Sequence, residues 1–165
     1  MTDQIVVGDR VRLGTGFRAA RTRLEILADD EVLGQAAEAA YGTGITHLVA
    51  TTGPAAGLTR LAWAHLDQVT GTDGCAHGSL RWEAIAADGT LFTALEADLM
   101  LVPAGDRNTM LALAGGYRPQ PGPAGAGLDE AILRRCATVA IRSFVAQVAG
   151  ALAHPAGTAG PAIVP

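Results

Sequence analysis

Hydrophobic and polar residues alternate through the second half of the chain, and the alternation divides into segments bounded by turn residues. Leu58–Val69 reads as one strand and Gly71–Gly74 (GTDG) as a turn. Ala76–Ala86 reads as a second strand, with Leu80, Trp82 and Ala84 on one face and Arg81 and Glu83 on the other. Ala87-Asp88-Gly89 predicts a hairpin turn. Thr90–Val102 follows, with Leu91, Leu95, Leu99 and Leu101 on one face and Glu96 and Asp98 opposite. Arg107–Tyr117 is the fourth strand. Period-2 alternation with one polar face predicts an antiparallel sheet wet on one side.

The pattern then changes to period 3.6 over Leu128–Leu152, 25 residues with no Pro and no Gly before Gly150. Asp129 and Glu130 in the first turn suit the positive end of a helix dipole. A helix of this length spans roughly 37 Å, about the width of a small domain. Leu133, Ala137, Ala140, Ile141, Phe144, Val148 and Leu152 fall on one face, and Leu128, Ile132, Cys136, Val139 and Ser143 make a second stripe. A helix apolar on that much of its surface needs two covers. The sheet is one. The other falls to a cavity, to the N-terminal segment or to a neighbouring chain, and the last of these makes a homodimer a candidate assembly.

The first half is patterned less regularly. Gln4–Leu13 predicts a short strand broken at Gly8, and the alternation in Arg21–Leu27 predicts a further strand. Asp29 and Asp30 are N-cap candidates for an Ala-rich helix that ends at Gly42. Ile45–Val49 fits either a short helix or extended chain. Arg118–Gly127 is a Pro/Gly-rich crossover into the long helix. One domain over residues 1–153 is expected, with residues 1–20 the least defined part and 154–165 a loose tail.

Composition changes the picture in two ways. Hydrophobic residues make up 49% of the 165 but aromatics only 4%, so a core must be built largely from Ala and branched side chains around Trp63, Trp82, Phe92, Tyr117 and Phe144. The net charge of −4 offers no general attraction to nucleic acid or an anionic membrane. Five arginines cluster between Arg10 and Arg23, and solvated polar positions account for them. No uninterrupted apolar stretch reaches membrane-spanning length, no signal-peptide pattern stands at the N-terminus, and a cytoplasmic protein is the expectation. Cys75 and Cys136 do not make a disulfide framework.

The order of elements and the last third of the chain resemble the START-like (SRPBCC) helix-grip superfamily. The residues that carry the resemblance run from LEADLMLVP through the strand ending GGYRP and the Gly-rich link to LDEAILRRCATVAIRSFVAQVAGAL. That superfamily includes lipid-transfer domains, plant pathogenesis-related allergens and polyketide cyclase-like proteins. The resemblance implies an α+β helix-grip fold, a curved antiparallel sheet wrapped around the C-terminal helix, with an apolar molecule such as a lipid or polyketide held between them. It implies that Leu80, Trp82, Leu95, Leu99, Ile141, Phe144 and Val148 line that space.

Candidate chemistry is sparse. His65 and Asp67, two apart, share a face with Leu61 and Trp63 if the strand is regular. An internal His–Asp pair would be a base or an orienting group; a bulge or strand end would place both in water. Tyr117 is the third candidate polar anchor. Cys75-x-His77 supplies two metal ligands where a site needs more, so no metal is expected. Neither Gly53-Pro54 nor Gly71-Thr72-Asp73-Gly74 is a phosphate loop, and Ser79 and Ser143 lack a nucleophile elbow, so no cofactor or catalytic set is assigned. Binding of a small apolar or aromatic molecule is therefore the leading function. A cyclase or dehydratase-type enzyme and a protein-interaction or dimerisation module with a filled core are the alternatives.

Overall fold

In the computed structural model, which describes residues 4–29, 31–52, 60–86, 88–118 and 130–153, the alternating segments become one open antiparallel sheet. The elements are β1 (Ile5–Leu13), α1 (Phe17–Asp29), α2 (Glu31–Thr52), β2 (Arg60–Leu66), β3 (Thr70–Thr72), β4 (Cys75–Ile85), β5 (Leu91–Pro103), β6 (Thr109–Tyr117) and α3 (Glu130–Ala153). The strand order is β1-β6-β5-β4-β2, with β3 added beside β4. One face of the sheet is apolar and packs on α3; the other carries Arg81, Glu96 and Asp98 into solvent. This is the α+β helix-grip arrangement.

The strong patterns hold. On β4, Leu80, Trp82 and Ala84 are buried while Arg81 is exposed, and on α3 the stripe from Ala137 to Leu152 is buried. Glu130 opens α3 and pairs with Arg134 one turn on, at 2.6 Å. Residues 119–127 of the proposed connector, the loose tail, Asp30 and the Leu128-Asp129 start of the helix lie outside the described residues.

Four expectations are corrected. Gly8 does not break the first strand, because β1 pairs with β6 along its whole length, from Ile5↔Tyr117 to Leu13↔Thr109. Arg21–Leu27 is not a strand but the body of α1. Its buried residues, Ala20, Leu24 and Leu27, recur at the spacing of one helix face, while Ile26 points outward. The helix expected to end at Gly42 continues to Thr52. Helix propensity at Gly42 and Gly44 is poor, but tertiary packing overrides it. A Cβ at Gly44 would stand 3.0 Å from the Ala140 Cβ and 3.1 Å from the Cys136 carbonyl, so glycine lets α2 approach α3 closely. Finally, Leu91 does not face the core. β5 has a bulge at Ala94, since Trp82 pairs with Leu95 while Glu83 pairs with Thr93. Ala94 and Leu95 both turn inward, parity reverses before them, and Leu91 is left 55% exposed.

The second cover of α3 is therefore α2, from the same chain. Its buried hydrophobic residues are Leu33, Ala36, Ala37, Ala40, Tyr41 and Leu48, a helical stripe rich in alanine. By length and composition α3 is apolar enough to cross a membrane, which amends the expectation that no element is. Half of its most apolar window is buried in the fold, where the sheet and α2 take up that apolar surface.

Candidate binding site

The inner face of the sheet brings together the seven residues that the resemblance assigned to a cavity. Leu80, Trp82, Leu95, Leu99, Ile141, Phe144 and Val148 are each no more than 1% exposed. A void large enough for water would leave accessible surface on its walls. None adjoins these side chains, so the space between sheet and α3 is filled. The open interior expected there is not present.

Aromatic rings do the filling. Trp82 meets Phe144 edge to face, with ring centroids 5.3 Å apart and planes at 82°. It also meets Tyr41 of α2, at 6.2 Å and 77°. Both arrangements are favourable for aromatic quadrupoles. Tyr41 is the residue that the sequence reading missed. Its signal was present in the spacing Leu33, Ala37, Ala40, Tyr41, but an Ala-rich stripe does not announce which of its members reaches the core.

Tyr117, one of the three candidate anchors, lies on the inner side at the end of β6, opposite Leu95. It shares a side-chain hydrogen bond with Tyr41, and its phenol is pushed well above its ordinary value, chiefly by burial and then by Tyr41 and Cys136. Burial raises the Cys136 thiol as well. Both groups are therefore neutral at physiological pH.

The other two anchors are elsewhere. A bulge at Ala62 separates the pairs Leu61↔Ala84 and Trp63↔Glu83. Leu61 therefore joins the inner side, while Trp63 and His65 turn to the outer face. His65 Nε2 lies 3.0 Å from Asp67 Oδ1, with side chains 54% and 68% exposed. Neither anchor faces α3: of the two placements the sequence left open, the structure shows the one in which a bulge puts the pair in water. The pair borders an outer-face groove of about 450 Å³ with Ser79, Arg81, Glu96 and Asp98. Ser79 Oγ donates to Asp98 rather than to His65, at 3.3 Å, so no nucleophile–base couple forms there. Among the described residues no group of three or more His, Cys, Asp or Glu is arranged to hold a metal ion.

A second concavity, of about 510 Å³, opens between α2 and the β2–β4 edge of the sheet. Tyr41, Gly42 and Ile45 form its helical wall, and Leu61, Ala62 and Ile85 its strand wall, with Glu38 and Arg60 also in the lining. Its walls are mostly apolar with few polar groups, the usual make-up of a small-molecule site. Tyr41 belongs both to this wall and to the aromatic stack on Trp82.

No protein-family model matches the chain, and no curated protein matches it. Among solved structures, the crystal structure of the Zhui aromatase/cyclase from Streptomyces sp. R1128 is similar, with a TM-score of 0.37 and 8% sequence identity. The alignment covers 91% of this chain and 96% of that one. At 8% identity no site residue carries over from one to the other.

Proposed function

We propose that the protein binds a small apolar or aromatic molecule, and that the guest enters between α2 and the sheet edge rather than between the sheet and α3. The observation that supports this reading is the half-open apolar pocket walled by Tyr41, Ile45, Leu61 and Ile85. On α2, Ala36, Ala37, Ala40 and Gly44 bury less area each than the Leu, Phe and Trp side chains on the other side of α3, and Leu33, Tyr41 and Leu48 are its larger buried residues. A cyclase or dehydratase acting on such a guest needs an acid or base within reach, and Glu38 is the carboxylate in that lining.

The test is a thermal-shift screen with lipids, sterols and polycyclic aromatics, read in parallel by tryptophan fluorescence. A guest that binds only the folded chain raises the melting temperature. Ile45→Trp fills the pocket and should abolish the shift, whereas His65→Ala, on the outer face, should leave it unchanged. A screen without hits, or hits indifferent to Ile45→Trp, would sink the proposal.

The filled core favours a second reading, a protein-interaction module. Trp63 stands 45% exposed on the edge strand β2, and aromatic residues are common anchors of interfaces. Light scattering decides it: a dimer mass that Trp63→Ser converts to monomer supports this reading, and a monomer at high concentration removes self-association.

A further inference from the structure

Among the buried side-chain nitrogen and oxygen atoms of the described residues, Trp82 Nε1 has no hydrogen-bond partner. The residue is 0% exposed and sits at the centre of the core. An indole nitrogen can only donate, and a buried donor left unmet carries the full cost of its lost hydration. With no accessible surface at the residue, there is no room beside it for a water molecule to take that hydrogen. A position that needs only a large apolar ring would be served as well by Phe, as Phe144 shows one helix away.

The surroundings describe what is missing. Phe144 offers no lone pair, and the Tyr41 hydroxyl is engaged with Tyr117. Tyr117 and Cys136 stay neutral, so neither places a charge in this part of the interior. The Tyr41 ring packs on the indole and also forms part of the pocket wall. That ring is carried by α2, which approaches α3 closely at Gly44.

We infer that Trp82 determines specificity for the guest: when the Tyr41 ring turns aside, the Trp82 indole N–H donates to a neutral oxygen acceptor, such as a ketone, on an aromatic molecule in the pocket. This rests on the proposed binding function and adds the chemical class of the guest. An acceptor-free hydrocarbon would fit the same walls but leave the donor unmet. Discrimination by one neutral hydrogen bond corresponds to about 3- to 10-fold in affinity.

The experiment compares 2-acetylnaphthalene with 2-ethylnaphthalene, two probes of nearly the same shape of which only the first carries an acceptor. Titrations use the full chain and its Trp82→Phe variant. The wild-type chain should prefer the ketone by about 3- to 10-fold, and Trp82→Phe should remove the preference by weakening ketone binding alone. Should that variant fail to fold, proton–nitrogen NMR of the wild-type chain decides. The Trp82 indole signal should move downfield with the ketone and not with the hydrocarbon, with the exposed Trp63 indole as internal reference. Equal affinity for the two probes overturns the inference and leaves the binding reading intact; binding of neither defeats both. An indole signal that is shifted upfield in the free protein and indifferent to the ketone also overturns it, because the N–H would then already rest on an aromatic face.

Discussion

The two sides of α3 are packed by different means. Towards the sheet, Ile141, Phe144 and Val148 mesh with Leu80, Trp82, Leu95 and Leu99, and no solvent reaches them. Towards α2, Cys136 and Ala140 meet Gly44 at near-backbone distance. The first side buries large area per residue and stabilises the fold. The second uses smaller side chains at its closest approach, and its helix carries Tyr41, whose ring belongs both to the core and to an open pocket. Stability and access are thus assigned to opposite faces of one helix. A layer held by small residues is the layer from which local opening is drawn.

That contrast can be broken first at Phe144. Phe144→Ala removes a fully buried ring between α3 and Trp82 and should cost about 3–5 kcal/mol in urea or thermal unfolding, a large part of the stability of a domain this size. A melting temperature close to the parent would mean that the sheet side is not the anchor. Gly44→Val probes the other side. The added side chain meets the Ala140 Cβ and the Cys136 carbonyl, so α2 must shift outward, at a cost of about 1–3 kcal/mol. The diagnostic is the location of the damage: hydrogen exchange should quicken along α2 while β4 and β5 stay protected. Uniform loss of protection would show the two faces to be one cooperative unit.

The smallest expected effect sharpens the comparison by pH. The Tyr117 phenol is held above its ordinary 10.0 in the folded chain. Its contribution is therefore complete below pH 10.0 and is lost as the pH rises from there towards the folded-state value. The chain contains no lysine, so few other groups titrate in that window. Urea unfolding at about pH 9 and about pH 11 should show Tyr117→Phe losing less stability across the interval than the parent does. Equal losses would place the phenol in solvent and take it out of the Tyr41 cluster.

The sequence by itself determined the strands β4, β5 and β6, the long helix α3 and the inward set on its main face. Those elements carry many large residues at a fixed period, and a period is a local property that needs no partner to be read. Tertiary structure decided the rest. The bulges at Ala62 and Ala94 each add one residue to a strand without any mark in the alternation. Each reverses which side chains face inward, sending His65 and Leu91 to the outside. α1 and α2 were obscured for another reason: a seven-residue stretch such as RTRLEIL fits both periods, and alanine and glycine carry little hydrophobic signal however deeply they are buried. Whether the interior held space was beyond any pattern, since a filled core and a cavity ask for the same apolar walls. It was settled by the Tyr41 ring, which α2 brings against Trp82 from a helix far away in sequence.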